Sequence, residues 1–553
     1  MSLRVRRIGA IALLLTLLAA LAWPHARDYL VLHIVGWTAP HVSESRAVNW
    51  ASGPASQAPG GKRAPNIVLI LADDLGYNDL SLSGGGVAEG AVPTPSINAI
   101  AQQGVNLTQG YAGNATCAPS RAAILTGRYA TRFGFEFTPV PTQFAKVIGR
   151  FPNEPGRPPV IYHAEREAQA IALDDMGIPT SEITLAELLK RQGYHTIHLG
   201  KWHLGSAPQF RPLAAGFDES LGFYPGASMY LPEDSPEVVN SKQDFDPIDK
   251  FLWANLPFAV QLNNEAYFKP TGYLTDYLGD QAVAAIQANA KRPFFLYVAF
   301  NAPHTPLQAL KSDYEALAQI PDHRLRVYAA MIRALDRNVG KITAALKAQG
   351  LDDNTLLLFT TDNGGANYIG LPDINRPYRG WKASFFEGGI HVPFFIKWPA
   401  QLAAGGRYEQ PVAHVDMFAT AARAAGATLP ADRVVDGVDL IPYLQGRETG
   451  RPHQTLYWRS GDYATLLDGD WKLQVSGTPR KDWLFNLKDD PTEQVDLAAR
   501  NPEKLAELKA RLAEYNGQMA KPLWPALLEA PIRIDYPLGV PAPADAAYVY
   551  WSN

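Results

Sequence analysis

The stretch Asn66–Ala72 reads N-I-V-L-I-L-A. A short run that is almost entirely apolar and rich in isoleucine and valine is typical of a strand buried on both faces of a parallel sheet. Three similar runs follow, at residues 194–200, 294–300 and 355–361. Between two of them, Thr184 and Glu187 form a capping box that predicts the start of a helix. Strands that alternate with helices predict an α/β fold.

Polar side chains follow each run at the point where the strand should end. They are Asp73 and Asp74 after the first run, Lys201 and His203 after the second, Asn301 and His304 after the third, and Asp362 and Asn363 after the fourth. Ligands of open α/β sheets bind at the carboxyl ends of the strands. We therefore expect four distant segments of the chain to converge on one site.

The composition sets broad limits. The 553 residues suffice for one large domain and a smaller one, and 47% hydrophobic with 19% charged residues is typical of a globular protein. The formal net charge is -4, with acidic and basic residues spread along the chain. Nucleic-acid binding requires clustered basic surface, so we expect no nucleic-acid partner.

The N-terminus has the pattern of an export signal. Arg4, Arg6 and Arg7 precede an apolar run at residues 8–23. A basic segment followed by an apolar one is typical of a signal peptide, and an uncleaved membrane anchor or a buried helix is the alternative. We interpret residues 1–25 as signal peptide or anchor and residues 26–63 as a flexible linker. The protein is then exported by the export machinery to the periplasm or the extracellular space.

The last hundred residues change character. Short β-like segments at 456–459, 463–467 and 471–475 alternate with turns. Asn501 and Pro502 then predict the start of a helix. We interpret residues 64–450 as the catalytic domain and residues 451–553 as a smaller C-terminal α+β subdomain.

Residues 117–127 read C-A-P-S-R-A-A-I-L-T-G, which resembles the signature of the sulfatase family at every fixed offset. The resemblance continues in G-K-W-H-L-G at 200–205, D-N-G-G at 362–365 and W-K-A-S-F-F-E-G-G at 381–389, in the family's order. It implies an alkaline-phosphatase-like α/β fold with a mixed, mostly parallel sheet flanked by helices. It also implies that a separate formylglycine-generating enzyme oxidises Cys117 to formylglycine (3-oxoalanine).

Cys117 is the only cysteine, so no internal disulfide can form, and the simplest alternative is a small buried apolar residue. A hydrated aldehyde at this position would carry two hydroxyl groups on one carbon. One hydroxyl can displace the alcohol from sulfur, and deprotonation of the other lets the carbon expel sulfate.

Four oxygen-bearing side chains indicate a metal site: Asp73, Asp74, Asp362 and Asn363. An all-oxygen set suits a hard divalent cation such as Ca²⁺ or Mg²⁺. The resemblance favours Ca²⁺ and implies an oxygen of modified Cys117 as a further ligand. The cation would lower the pKa of the nucleophile and offset the charge of the sulfate.

Five basic residues complete the expected site. Arg121 lies one helical turn after Cys117 and can hold the formylglycine hydroxyl, although an ion pair on the helix is the structural alternative. The resemblance implies that Lys201 binds sulfate oxygens and that His203 contacts the formylglycine as a base for sulfate release. It places His304 and Lys382 near the leaving-group oxygen, where either can protonate the alcohol or stabilise its charge.

Other residues are weaker candidates. We interpret four as structural: His195, His198, His414 and Asp416. Ser228 is a candidate substrate contact, and the rings of Tyr224, Tyr230 and Trp253 either stack on substrate or belong to the core. The insertion at residues 138–176 is long for a compact sulfatase, and we hypothesise that it shapes the substrate entrance.

The sequence therefore predicts hydrolysis of an aryl or carbohydrate sulfate, that is, of a sulfated small molecule or glycan. A phosphonate monoester or phosphodiester hydrolase of the same superfamily is the alternative, because those substrates carry similar charge. A binding protein with an inactive site is a third hypothesis, which the complete set of site residues disfavours.

Overall fold

The four predicted runs become neighbouring strands of one sheet in the computed structural model, which describes residues 41–54, 63–149 and 157–553. The strands in chain order are β1 (Asn66–Ala72), β2 (Val105–Leu107), β3 (Gly110–Tyr111), β4 (Ile161–Tyr162), β5 (His195–Lys201), β6 (Glu219–Phe223), β7 (Val238–Ser241), β8 (Gln261–Leu262), β9 (Phe294–Ala299), β10 (Leu307–Leu310), β11 (Thr355–Thr361), β12 (Phe394–Lys397), β13 (Gly406–Tyr408), β14 (Val412–Ala413), β15 (Thr455–Ser460), β16 (Tyr463–Asp468), β17 (Trp471–Ser476), β18 (Lys481–Asn486), β19 (Leu528–Arg533) and β20 (Tyr548–Ser552).

The α-helices lie between these strands. In chain order they are α1 (Val87–Gly90), α2 (Pro95–Gln102), α3 (Cys117–Thr126), α4 (Thr142–Ile148), α5 (Leu185–Arg191), α6 (Pro247–Asn255), α7 (Leu274–Ala288), α8 (Lys311–Glu315), α9 (His323–Ala348), α10 (Glu387–Ile390), α11 (Val415–Ala424), α12 (Ile441–Leu444) and α13 (Pro502–Gly517). The predicted capping box is present at the start of α5, where the Thr184 hydroxyl accepts from the amide of Glu187 and the Glu187 carboxylate accepts from the amide of Thr184. Within the described ranges, the helices include none long and apolar enough to cross a bilayer.

The central sheet has nine described strands in the order β13-β2-β12-β11-β1-β9-β5-β6-β8. The four strands at its centre, β11, β1, β9 and β5, are mutually parallel. β12 and β8 run antiparallel to their neighbours. The prediction of a mixed, mostly parallel sheet flanked by helices is confirmed.

The core lies on both faces of this sheet because the side chains of β1 alternate between them. Val68 and Ile70 belong to one buried cluster together with residues of α7 and α9. Ile67 and Leu69 belong to the opposite cluster, with residues of α3 and α11. A strand covered on both faces needs apolar residues at every position, which is why its sequence is an unbroken apolar run.

The register of the central strands decides where the site forms. Ala72 at the end of β1 lies opposite Thr361 at the end of β11, and Leu71 lies opposite Ala299 of β9. Gly200 of β5 is likewise opposite Ala299. The residues that follow all four strands therefore leave the sheet at one edge, as the sequence predicts.

The C-terminal region forms an antiparallel sheet, β15-β16-β17-β18, covered by α13 through Leu508 and Leu512. The helix begins at Pro502 as predicted, although the Asn501 side chain makes no capping hydrogen bond. A further sheet, β20-β19-β4, joins the end of the chain to the 138–176 insertion. The buried cluster that contains β1 also contains residues of β16 and β17, so this region shares its apolar core with the large sheet.

Of the two predicted N-terminal segments, the structure describes part of the linker only. Residues 1–25, the expected signal or anchor, lie outside the described residues. Residues 41–54 of the expected linker are fastened to the β8 side of the molecule: the amide of Ser43 donates to the carbonyl of Tyr267, and the Trp50 indole donates to Gln281. These contacts hold a stretch that its Ser- and Ala-rich sequence predicts to be flexible.

Candidate functional site

Cys117 is the first residue of α3 and is buried, with its sulfur at the floor of a cavity. The sulfur lies 3.5 Å from Oδ1 of Asp73 and 3.2 Å from Nζ of Lys382. The N-terminal end of a helix carries partial positive charge from its free amide groups. A side chain at this position is therefore placed where developing negative charge is stabilised.

The four predicted metal ligands lie together. The amide nitrogen of Asn363 donates to Oδ1 of Asp74 at 2.7 Å, and the backbone amide of Asp74 donates to Oδ1 of Asp362 at 3.2 Å. Asp73, Asp362 and Asn363 are buried, and Asp74 is 3% exposed. Asp74 has a φ of 61°, a left-handed conformation that is uncommon outside glycine. Strain of this kind concentrates at functional sites.

Burial and neighbouring charges shift the pKa values of the three carboxyl groups in different directions. Burial, together with the nearby Asp362 carboxylate, raises the pKa of Asp73 well above its usual value. Burial also opposes ionisation of Asp74, but the nearby positive charges, of which Lys382 is the largest, together outweigh burial and lower the pKa of Asp74. For Asp362, the combined charges of Arg121, Lys201 and Lys382 likewise outweigh burial and lower the pKa. Asp73 is therefore the carboxyl group of this cluster that ionises least readily without a further cation.

These residues fit a hard divalent cation. Oδ1 of Asn363 is buried and has no hydrogen-bond partner within residues 41–54, 63–149 and 157–553. Ligand atoms of Asp73, Asp74, Cys117 and His304 all lie within 4.8 Å of one another. An unpartnered amide oxygen beside buried carboxylates is expensive unless a cation binds there, and oxygen ligands suit Ca²⁺ or Mg²⁺.

Arg121 is enclosed beneath this cluster. Its Nε donates to Oδ2 of Asp362 at 2.9 Å, and its Nη1 donates to the carbonyl of Lys201 at 3.1 Å. The side chain is fully buried. The arginine therefore forms an ion pair with a metal-ligand candidate from another segment, which differs from the ion pair on its own helix that was the structural alternative.

Lys201 contacts the acidic cluster, whereas His203 lines the cavity. Nζ of Lys201 donates to Oδ2 of Asp73 at 2.7 Å, and the lysine is fully buried. His203 lines the cavity, has a φ of 62° and has a buried Nδ1 without a partner among the described residues. Burial and the charge of Lys201 lower the pKa of His203 well below its usual value, which favours the neutral imidazole.

Lys382 has a neighbour that sequence reasoning missed. Nζ of Lys382 lies 2.7 Å from Oδ1 of Asp74 and 3.0 Å from the hydroxyl of Tyr368. The Tyr368 hydroxyl donates to Oδ2 of Asp74 at 2.7 Å. Burial lowers the pKa of Lys382, but the Asp74 carboxylate together with other nearby groups outweighs burial and raises the pKa well above the usual value. The only signal for Tyr368 is its position five residues after Asn363, which by itself does not distinguish it from other loop tyrosines.

His304 is held by its backbone surroundings. Nδ1 lies 2.6 Å from the carbonyl of Thr305, so in the neutral ring Nδ1 carries the proton and Nε2 faces Oδ2 of Asp74 at 3.6 Å. Burial lowers the pKa of His304, although the Asp74 carboxylate opposes the shift. The Tyr230 hydroxyl, itself in the core, lies 2.9 Å from the carbonyl of His304 and supports this turn.

The weaker candidates lie outside the cluster or point away from it. His195 contacts Glu219 and His198 contacts Ser220, both on the neighbouring strand β6. His414 contacts Thr360 and Ser120 beneath the cluster, and Asp416 accepts from the amides of Ala413 and Val438.

Ser228 does not present its hydroxyl to the cavity. That hydroxyl is buried and contacts the carbonyls of Met229 and Pro257. Tyr224 lines the cavity, whereas Trp253 lies under the ammonium of Lys242 at another part of the surface. The expectation that Ser228 touches substrate is therefore wrong in this conformation.

The cavity above Cys117 has a volume of about 340 Å³. Its walls come from the 138–176 insertion, from α6 and the residue after it, and from the strands β19 and β20. The insertion contributes seven of the lining residues: Thr138, Pro139, Val140, Pro141, Phe144, Leu173 and Met176. The described part of the insertion therefore lines the cavity, and its role in shaping the substrate entrance stays a hypothesis.

Comparison with known proteins gives a consistent result. The family model described as Sulfatase matches residues 65–427. N-acetylgalactosamine-6-sulfatase of Mus musculus is 35% identical over 434 residues, covering 76% of this chain and 73% of the relative. Steryl-sulfatase of Mus musculus is 32% identical over 477 residues, covering 73% of this chain and 68% of the relative. The crystal structure of Ps i-CgsB in complex with k-i-k-neocarrahexaose has 32% identity and a TM-score of 0.69, covering 84% of this chain and 95% of that one.

Proposed function

The chain belongs to the sulfatase family and is a sulfuric ester hydrolase, and from this premise we propose that the cluster around Cys117 is its active site. The observation that carries the proposal is the meeting of Cys117, Lys382 and the Asp73–Asp74 pair within direct contact distance at the floor of the cavity. Nucleophile, positive charge and oxygen ligands from three separate segments are what ester cleavage with charge stabilisation requires.

Cys117 is the position of the nucleophile. We infer that a formylglycine-generating enzyme oxidises it to formylglycine, because it heads α3 in the family signature and borders the cavity. When formed, the aldehyde hydrate supplies a nucleophilic hydroxyl and a second hydroxyl through which the carbon can release sulfate. The chain's own contribution is the helix terminus and the Lys382 ammonium, which both favour negative charge at this atom.

Asp73, Asp74, Asp362 and Asn363 would hold one divalent cation. The Oδ1 of Asn363, unpartnered among the described residues, and the closeness of three buried carboxyl groups support this, and the family resemblance favours Ca²⁺ over Mg²⁺. A bound cation supplies positive charge that lowers the pKa of the nucleophile and offsets the charge of the sulfate. Arg121 and Lys201 hold the Asp362 and Asp73 carboxylates in place from below.

The residues that line the cavity can act on the substrate directly. Lys382 keeps its charge and can contact sulfate or the departing oxygen. His304, whose lowered pKa makes its protonated form a stronger acid, is placed to protonate the leaving alcohol from Nε2. Neutral His203 can accept a proton during sulfate release. Lys201 is enclosed and acts on the site through Asp73 in this conformation, which refines its expected role as a sulfate ligand.

The cellular location is also part of the proposal. The basic residues Arg4, Arg6 and Arg7 before an apolar run support export to the periplasm or the extracellular space, with residues 1–25 as cleaved signal or anchor. Export machinery and the formylglycine-generating enzyme are then obligatory partners.

The experiment is a peptide mass spectrum across Cys117 together with a sulfate-release assay on 4-nitrophenyl sulfate, using the full chain coexpressed with a formylglycine-generating enzyme. We expect formylglycine at residue 117 and turnover in proportion to the converted fraction. Turnover by fully unconverted protein would contradict the nucleophile assignment. Hydrolysis of a phosphonate monoester or phosphodiester with higher kcat/KM than the sulfate would favour the superfamily alternative.

A further inference from the structure

The cavity above Cys117 is polar at its floor and apolar on its walls. Besides tyrosines, the ionisable side chains that line it are Cys117, His203, His304 and Lys382, all at the floor. In the part of the chain that the structure describes, no Asp, Glu or Arg side chain lines it. We propose that this enzyme cleaves sulfate esters whose alcohol portion is an apolar ring or chain rather than a sugar. The inference rests on the proposed function of the Cys117 cluster.

The first wall is the insertion. Val140, Pro141 and Phe144 face the cavity from the segment that leads into α4 and from α4 itself. The Phe144 ring packs edge-to-face against Phe251 of α6, with ring centroids 5.0 Å apart. Aromatic rings in this arrangement fix one another, so the two walls hold each other in place before a ligand arrives.

The second wall is α6 and the residue that follows it. Ile248, Phe251, Leu252 and Leu256 line the cavity from this element. Ile248 also packs against the small apolar cluster formed by the insertion and the start of β19. Because the described residues of the insertion pack into an apolar cluster, they present a fixed surface to the cavity.

The third wall is the C-terminal sheet. Leu528, Ala530 and Ile532 occupy alternate positions of β19, so they share one face of the strand, and all three line the cavity. Glu529 lies on the other face, where it contacts His163 and Arg166 of the insertion. The strand therefore turns its apolar face toward the substrate and its charged face away.

Two of the polar groups on the walls are already engaged. The side-chain oxygen of Asn553 accepts from the amide of Thr138 at 3.1 Å, and the hydroxyl of Tyr224 donates to Asn264 at 2.9 Å. A sugar bound in this cavity would lose the hydrogen bonds that water makes to most of its hydroxyl groups and would contact carbon atoms instead, which is unfavourable. An apolar alcohol gains instead, by roughly fourfold in affinity for each buried methylene group. The volume of about 340 Å³ accommodates a ring with a short substituent.

The first test is a matched pair of substrates for the formylglycine-bearing full chain. Galactose 6-sulfate and cyclohexylmethyl sulfate are both primary sulfates on a six-membered ring, and they differ mainly in the ring oxygen and hydroxyl groups. We expect kcat/KM to be at least tenfold higher for cyclohexylmethyl sulfate. A higher kcat/KM for galactose 6-sulfate would overturn the inference while leaving the sulfatase assignment intact.

The second test is the series phenyl, 4-ethylphenyl and 4-butylphenyl sulfate, in which the acidity of the phenol changes little. We expect kcat/KM to rise about two- to fourfold per methylene group until the cavity is filled. A flat series would overturn the inference. Failure to release sulfate from any of these esters, or from 4-nitrophenyl sulfate, would instead contradict the proposed function itself.

A single substitution tests whether the α6 wall carries the preference for apolar alcohols. Leu252→Asn keeps the number and branching of the side-chain heavy atoms and places an amide on the α6 wall, so we expect KM for 4-butylphenyl sulfate to rise about tenfold and KM for phenyl sulfate to rise less. Leu523→Asn is the matched control, since Leu523 is a surface leucine outside the cavity that is 41% exposed. Equal effects of the two substitutions on the 4-butylphenyl ester would contradict the assignment of the wall.

Discussion

Nζ of Lys382 lies 3.2 Å from the sulfur of Cys117. The two residues are 265 positions apart in the chain, and the ammonium is held by Oδ1 of Asp74 at 2.7 Å. A fixed positive charge at this distance is in place before any substrate binds, so it needs no rearrangement as negative charge develops on the reacting atoms.

Replacing that charge should affect chemistry more than folding. We expect Lys382→Met, which keeps most of the side-chain volume, to lower kcat for aryl sulfates by about 10²–10³-fold, because one preorganised charged donor is lost. The measurement is steady-state kinetics at equal formylglycine content. Lys397→Met is the control: Lys397, the last residue of β12, is also buried, but it pairs with Asp352 and does not line the cavity. A comparable loss of kcat in the control would show that the effect is structural.

Cys117→Ala should abolish turnover and leave the fold intact. The substitution removes the proposed nucleophile and only one heavy atom from the core, so we expect the free energy of unfolding to change by less than about 2 kcal/mol. Sulfate release and urea unfolding of the same preparation test both statements. Residual turnover above the uncatalysed rate would contradict the role of Cys117.

His304→Gln should discriminate between leaving groups. Loss of the proposed proton donor is expected to reduce kcat/KM by about 10²–10⁴-fold for esters of weakly acidic alcohols. For 4-nitrophenyl sulfate, whose phenolate leaves without a proton, the reduction should be tenfold or less. Measurement across a series of phenols gives the slope of log kcat/KM against phenol pKa. The same slope in the variant and in the unmodified chain would exclude His304 as the acid.

Divalent cation should stabilise the folded chain. Binding at Asp73, Asp74, Asp362 and Asn363 is specific to the folded state, so Ca²⁺ at 100 times its Kd should add about 2.7 kcal/mol. The measurement is thermal unfolding of chelator-treated protein with and without Ca²⁺, which needs no activity. Asn363→Ala is expected to reduce the shift, whereas Asp416→Asn, in a buried acid outside the cluster, should retain it. An unchanged shift in Asn363→Ala would place the cation elsewhere.

Acid should destabilise the fold partly through His198. Burial lowers the pKa of His198 to about 3, whereas an unfolded histidine has a pKa of about 6.5. Between these values the unfolded chain binds a proton that the folded chain does not, so stability falls as pH drops through this window, by up to about 1.4 kcal/mol per pH unit. We expect His198→Gln to flatten that dependence between pH 6 and pH 4 in urea unfolding. His323→Gln, at an exposed position, should leave the curve unchanged.

The sequence predicts the floor of the site far better than its walls. The parallel neighbours β1, β5, β9 and β11 end at one edge of the sheet, so the polar residues that follow them meet there. That geometry follows from the strand pattern alone. The partners of these residues do not follow from it. The ion pair between Arg121 and Asp362, and the contact of Tyr368 with Asp74, depend on how loops fold back over the strand ends.

The walls could not be predicted because they depend on pairing between distant segments. β4 of the insertion pairs with β19 near the end of the chain, but β4 is only two residues long and Pro531 interrupts the alternation in β19. The sequence predicts short strands in the C-terminal region but leaves β18, β19 and β20 unassigned. Long-range pairing of short strands is decided by tertiary packing, which is why local propensity does not find it.

Because the sequence has a single cysteine, the thiol content of the unfolded chain measures how much of Cys117 has been converted. Because Cys117 is the one thiol that the sequence can contain, a colorimetric thiol titration in denaturant yields between one equivalent per chain and none. The missing fraction equals the proportion of chains in which residue 117 has been converted, provided that reducing conditions exclude other oxidation. Dividing the observed rate by that fraction gives a turnover number per competent molecule, so preparations from different hosts can be compared on one scale.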